Sequence, residues 1–176
     1  LANWLWGGRQ PITGVTISPE TALQINAVYD CVKVISEDVA SLPLPIYRRL
    51  DPRGKERARQ HPLYRILHDS PNPYMTAMQF RETLQTHLLT WGNAYAEIVR
   101  DSAGRVLELW PLRPDRMKMP PAASVAGSLI YTYTLPAGQP IQLMQSQVLH
   151  LRGQSSNGIV GYSPVTLQRE MLGFAQ

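Results

Sequence analysis

Four histidines, His61, His68, His87 and His150, are the natural starting point, because imidazole serves as acid, base or metal ligand near neutral pH. None pairs with another histidine or with Cys31 at a metal-ligand spacing, so structural histidines are expected. The carboxylates Glu37, Asp38, Glu97 and Glu108 offer a second route, a paired acid and base. Glu97 and Glu108 fall on facing strands of an expected hairpin, flanked by Arg100 and Arg105, where solvated charges on an outer face account for them. The run Gly153 to Gly161 is glycine-rich and precedes an expected helix, the order of a phosphate cradle. Its spacing matches no known cradle and it carries no lysine, so a mobile surface loop or an inter-subunit loop fits it better. There is no nucleophile elbow, nucleotide-binding loop or zinc-protease signature. The residues therefore point to no catalytic site, no metal and no cofactor.

Charge is the next candidate for a binding surface. The net charge is +4, and residues 48–59 hold the whole excess: Arg48, Arg49, Arg53, Lys55, Arg57 and Arg59 against Asp51 and Glu56. The rest of the chain is balanced and lacks the broad basic face of a dedicated DNA-binding domain. Arg53, Lys55, Arg57 and Arg59 read either as a solvated hairpin tip or as a surface for nucleic acid or an acidic partner. The aromatic residues Tyr47, Tyr64, Tyr95, Tyr131 and Tyr133 do not interleave with these cations as in a single-strand platform, and core or interface packing explains them better.

The elements that hold these residues are legible from periodicity and punctuation. Ser18-Pro19-Glu20 opens a helix, with a cap, a proline at the first turn and an acid at the positive end of the dipole. Val28, Val32, Ile35, Val39 and Leu42 then form one apolar stripe, which predicts a single helix of about 22 residues with that stripe in the core. Cys31 lies in it and is expected to be a buried, inert thiol. Pro43 and Pro45 end the helix. Leu44 to Arg49 reads as an edge strand and Asp51-Pro52-Arg53-Gly54 as a turn. His61 to His68 is a short helix. Thr76, with Gln79 completing a capping box, opens another whose stripe is Phe80, Leu84, Leu88 and Trp91.

Gly92-Asn93 stops that helix, since glycine and asparagine accept the left-handed conformation that ends a helix sharply. The period then changes from 3.6 to 2. Tyr95 to Arg100 and Val106 to Trp110 form the clearest hairpin, turning at Asp101 to Gly104. Further strands are expected at Met117 to Met119, Ile130 to Leu135 and Val148 to Leu151, with turns at 122–128 and 136–140. Ser163-Pro164 begins a last helix that meets no stop signal before Gln176. The N-terminus carries neither an initiator Met nor a secretory signal, and no apolar run approaches the roughly 20 residues that span a bilayer. The expectation is an α+β fold in which a long N-terminal helix and further helices pack on antiparallel strands and hairpins. An extended arm at 1–15 would precede a single domain at 16–176, with a natural chain longer than this one.

Six segments in order resemble the portal proteins of tailed double-stranded DNA phages, in their siphovirus-type form. They are Thr21-Ala22-Leu23 with Ala27 to Val32 and Ile35 to Tyr47, then His61 to Leu67, Pro71-Asn72-Pro73 with the helix Thr76 to Trp91, Leu88 to Tyr95, Gly104 with Leu109-Trp110-Pro111-Leu112, and finally His150 with Gly161 and Ser163-Pro164. Members of that family are about twice as long or more, so the resemblance implies the N-terminal, mostly wing-region part, without stem, clip, tunnel loop or crown. It implies a non-enzymatic subunit of a homo-oligomeric ring of about twelve, assembled in the host cytoplasm and placed at one capsid vertex of the virion. Implied partners are the major capsid or scaffold protein, the terminase large subunit, a head–tail adaptor and double-stranded DNA passing through the channel during packaging and ejection, with no membrane. The rival reading is a stand-alone nucleic-acid-binding module using the 48–59 turn, which a steep salt dependence of DNA affinity would mark. An enzyme of another fold would need a cluster of perturbed carboxylates or histidines, and the sequence offers none.

Overall fold

The computed structural model describes residues 17–119, 124–125 and 128–173. The expected arm at 1–15 and most of the turn at 122–128 lie outside them. Ser18 caps as its type requires: its hydroxyl accepts from the Thr21 N–H at 3.2 Å while the Thr21 hydroxyl accepts from the Ser18 N–H at 2.8 Å. The single helix expected to follow is in fact two, α1 (Pro19–Ala22) and α2 (Asn26–Ser41), separated by an extended Ile25. Ala22 is fully buried in a cluster with Ile17 and Val165, a tertiary contact that outweighs the helical continuity of the local sequence.

The face that α2 buries also differs from expectation. Ser36 and Ala40 are buried, whereas Ile35, Val39 and Leu42 of the expected stripe are 44%, 40% and 63% exposed. At 3.6 residues per turn the stripe lies about 100° around the axis from Ser36 and Ala40. Small residues let α2 approach its neighbour closely, and the Thr86 hydroxyl donates to Ser36 Oγ at 3.2 Å across that contact. Cys31 is exposed, not buried, because it faces away from this contact.

The partner is the helix that Thr76 caps, where Thr76 and Gln79 form the expected reciprocal box. After α3 (Pro62–His68), this is α4 (Ala77–Trp91). Arg81 ties three helices together. Its Nη2 and Nε donate to the Ala40 carbonyl at 2.7 and 3.1 Å, and its Nη1 donates to the Leu67 carbonyl at 3.1 Å. A guanidinium thus satisfies carbonyls near the C-terminal ends of α2 and α3, where the helix dipole favours a cation.

Between α2 and α3 lies a two-stranded ribbon, β1 (Tyr47–Arg49) and β2 (Lys55–Arg57), which among the described residues pair only with each other. Beyond α4 come β3 (Asn93–Arg100) and β4 (Val106–Leu112), the expected hairpin, with a bulge between Val99 and Arg100. A second sheet follows, made of β5 (Met117–Lys118), β6 (Ser124–Val125), β7 (Ser128–Thr134) and β8 (Pro140–Met144). Strand β8 was not expected. Proline is compatible with the first residue of a strand, so Pro140 ends the turn and begins the strand at once. Then β9 (Val148–Arg152) returns to pair with β3, giving the first sheet the order β4-β3-β9, all antiparallel. The last described element is α5 (Pro164–Gly173).

Strand β3 is covered on both faces. Ala94 and Ala96 point with Leu109 toward Ile66 of α3 and Phe80 and Leu84 of α4. Tyr95 points the other way, with Leu112 and Val148, toward Tyr131, Tyr133 and Leu143 of the second sheet. The result is a helix layer, a central sheet and a second sheet. Alanines on the helix side leave room for the phenyl ring of Phe80, and tyrosines fill the gap between sheets. The outer edge of β4 is closed by Pro71-Asn72-Pro73. The Leu109 N–H donates to the Pro71 carbonyl at 2.9 Å, and the Asn72 amide donates to the Leu109 carbonyl at 2.9 Å. Glu97 and Glu108 are not directly opposed; their cross-strand partners are Trp110 and Val99, and Glu108 accepts from the Trp110 indole at 2.8 Å.

Leu84 is only 4% exposed at the centre of the helix–sheet contact. Leu84→Ala is expected to lower unfolding free energy by about 2–5 kcal/mol in urea titrations. A loss below about 0.5 kcal/mol would show that this contact does not carry the core.

Candidate functional site

Two places concentrate the polar groups that the sequence singled out. The first is the corner where α4 becomes β3. Gly92 occupies the C-cap position with φ of +72°, and its N–H donates to the Leu88 carbonyl at 2.9 Å. The segment after β9 closes onto this corner. The Gly153 N–H donates to the Gly92 carbonyl at 2.9 Å. A Cβ built on Gly92 would stand 1.8 Å from the Tyr162 carbonyl oxygen, and one built on Gly161 would stand 2.0 Å from the Gly92 carbonyl oxygen. Only glycine at both positions permits that approach.

Asn93 completes the closure. It is 6% exposed, and its side chain spans the gap. Oδ1 accepts from the Gly161 N–H at 2.8 Å, while Nδ2 donates to the Gly161 carbonyl at 2.8 Å and to the Trp91 carbonyl at 3.2 Å. Because one amide meets both the donor and the acceptor of the same backbone residue, its orientation is fixed. His150 Nε2, 3.1 Å from Asn93 Oδ1, must therefore be the protonated nitrogen. His150 Nδ1 accepts from the Tyr131 hydroxyl at 3.3 Å. The ring stacks on Tyr95 with centroids 4.4 Å apart. Ser163 adds a last tie, donating from Oγ to the Thr90 carbonyl at 2.7 Å while accepting from the Thr166 N–H at the start of α5.

The segment 153–161 is thus pinned at both ends and folded over Asn157, whose Oδ1 accepts from the Ile159 and Val160 N–H groups. The middle of the segment is exposed, as a surface loop's is, and its ends are built into the α4–β3 corner. The closure joins α4, β3, β9 and α5, so its chemistry is structural. His150 is held neutral between an amide and a phenol and has no carboxylate partner. Burial brings its pKa down from 6.5 to about 4, with the Arg152 charge acting in the same direction. Burial also raises the pKa values of the Tyr95 and Tyr131 phenols. His87, edge-on to Trp91 with a buried, unpartnered Nδ1, is lowered to about 4 chiefly by burial as well. Among the described residues, no group of three or more His, Cys, Asp or Glu could hold a metal ion, and no helix is long and apolar enough to cross a membrane.

The second place is the ribbon. Arg53, Lys55, Arg57 and Arg59 are all exposed there. Lys55 Nζ lies 4.9 Å from the centroid of the Tyr47 ring, and Arg48 pairs with Glu56 across the strands. Among the described residues Arg49, Arg53, Arg57 and Arg59 enter no ion pair. The structure brings Gly92 and Asn93 together with His150, Gly161 and Ser163, and it places the four basic residues on a separate element. The role of His150 in the corner was not read from the sequence. Its signal was its place in a strand that alternates Val148 and His150 inward, where a histidine needs two hydrogen-bond partners.

Two outcomes follow from this corner. Gly92→Ala combines a collision with a left-handed backbone and is expected to cost at least about 3 kcal/mol. Gly104→Ala, at φ +79° with nothing within 4 Å of the added carbon, is expected to cost only the conformational term of about 1–2 kcal/mol. Equal losses in urea unfolding would show that the close approach is not required. In the second test pH is varied. Between 6.5 and about 4 the unfolded chain takes up protons at His150 and His87 that the folded chain refuses. Stability is therefore full above 6.5, falls as pH drops through that window and levels off below about 4. The His150→Gln variant should show a shallower fall, and an unchanged slope would remove His150 from the linkage.

Comparison with known proteins agrees on one family. The family model described as phage portal protein matches residues 26–176. The chain is 35% identical over 161 residues to the portal protein of Enterobacteria phage HK97, covering 91% of this chain and 37% of that protein. It is 31% identical over 178 residues to the probable portal protein of Streptomyces phage phiC31, covering 96% of this chain and 38% of that one. Its fold superposes with a TM-score of 0.71 and 25% identity on a chain from the neck of an empty gene transfer agent particle computed with C6 symmetry, covering 95% of this chain and 45% of that one. The chain thus spans less than half the length of each of these relatives.

Proposed function

The chain belongs to the phage portal protein family, and from that membership we propose that it serves as a subunit of the ring at one capsid vertex through which DNA enters and leaves the head. The observation that carries this reading is the continuous family match over 26–176, joined to a neck-protein fold that covers 95% of the chain. The family is structural rather than catalytic, and the corner geometry suits that use. Gly92, Asn93, Gly161 and His150 fix four elements to one another and present no activated nucleophile. On this reading the described residues form the peripheral, wing-like part of the subunit. Ring copies, the head shell and scaffold, the terminase large subunit, a head–tail adaptor and double-stranded DNA in the channel are its proposed partners. Assembly takes place in the host cytoplasm, before the protein resides in the virion.

The test is imaging of the purified full-length protein by electron microscopy, together with particles made when its gene is disrupted. Closed rings with a central opening, and heads that fail to package without the protein, are the expected outcomes. A protein that stays monomeric, and whose loss leaves filled heads at normal yield, would sink the assignment.

A further inference from the structure

Two surfaces among the described residues are exposed and complementary. The first is the outer face of α2. Val34, Ile35, Val39 and Leu42 are exposed along it, and so are Asp30, Glu37 and Asp38, against the single cation Lys33. None of these three carboxylates enters an ion pair among the described residues. The second surface is the ribbon. All six residues of β1 and β2 are exposed, and among the described residues the ribbon pairs with no other strand. An isolated two-stranded hairpin is marginally stable in water and ordinarily needs a partner surface. The ribbon shows solvent the apolar residues Leu44, Tyr47 and Leu50, and beside them Arg49, Arg57 and Arg59, which enter no ion pair among the described residues.

We propose that the β1–β2 ribbon of one copy docks on the outer face of α2 of the next copy. Tyr47 and Leu50 would cover Ile35, Val39 and Leu42, while Arg49, Arg57 and Arg59 would face Asp30, Glu37 and Asp38. The charge argument selects a second copy as the occupant: residues 48–59 carry the chain's whole positive excess, and the exposed face of α2 carries an acidic excess. The two surfaces are different patches of one molecule, so the contact is head-to-tail, the type that closes into a ring when the rotation permits. This inference rests on the ring reading above and adds to it which surfaces meet.

The experiment uses two charge-reversed forms of the full-length protein, R49E/R57E/R59E and D30K/E37K/D38K, followed by sedimentation velocity. Each form alone sets like charges against each other and is expected to self-associate at least about tenfold more weakly than wild type, with its melting temperature nearly unchanged. Mixing the two forms restores opposite charges at every contact, so rings return with alternating subunits. A pair of cysteines, V39C and Y47C in a C31S background, should cross-link between copies even where a reversed form folds poorly. The proposal is overturned if wild type forms rings and the reversed forms do so equally well, or if folded reversed forms fail to recover on mixing; either result leaves the portal reading standing. A ribbon-reversed protein that still forms rings but loses salt-dependent DNA affinity would assign the ribbon to nucleic acid instead. Wild type without rings at any concentration fails at the earlier step and removes the basis for both.

Discussion

The structure depends on how closely two stretches of backbone approach at Gly92. A carbonyl from Tyr162 occupies the space where any other residue would place its Cβ, and Gly161 returns the same approach from the other side. Backbone groups brought so near must be satisfied, since a buried amide without a partner costs about 1–3 kcal/mol. Asn93 supplies that satisfaction with one amide group used three ways, and His150 and Tyr131 extend it to the second sheet. The end of α4, the start of β3, the end of β9 and the start of α5 thus share one fixed point.

Around that point the layers follow from side-chain size. Alternation along β3 sends alanines to the helix side and Tyr95 to the sheet side, so one strand serves two cores of different composition. Helix α2 uses the same economy of size at Ser36 and Ala40. In doing so it turns its larger apolar residues outward, which an isolated subunit has little reason to do.

Much of this was legible in the sequence. Caps at Ser18 and Thr76, the stop at Gly92 and the hairpin about Gly104 are local chemistry, and local chemistry can be read from local residues. The faces of helices were less legible. The stripe from Val28 to Leu42 was correct as a period, and Val28 does pack on the Ile17, Ala22 and Val165 cluster, but Ile35, Val39 and Leu42 face outward, because periodicity tells that a helix is two-sided without telling which side its neighbours cover. The same error placed Cys31 inside. The break before Asn26 and the anchored ends of segment 153–161 depend on contacts more than 60 residues distant, such as Asn93 with Gly161. The composition of that segment, rich in glycine and serine, reads as flexibility; in the fold Gly153 and Gly161 serve close packing against Gly92, while Gly158 turns the exposed middle.

Arg81 carries a consequence for which residue types can stand there. Its two carbonyl targets belong to different helices, and three separate N–H groups reach them. A lysine would keep the charge but concentrate it in a single tetrahedral head, unable to lie flat between Ala40 and Leu67 and serve both. The position therefore demands a planar, forked cation that can hold the ends of α2 and α3 through two carbonyls at once.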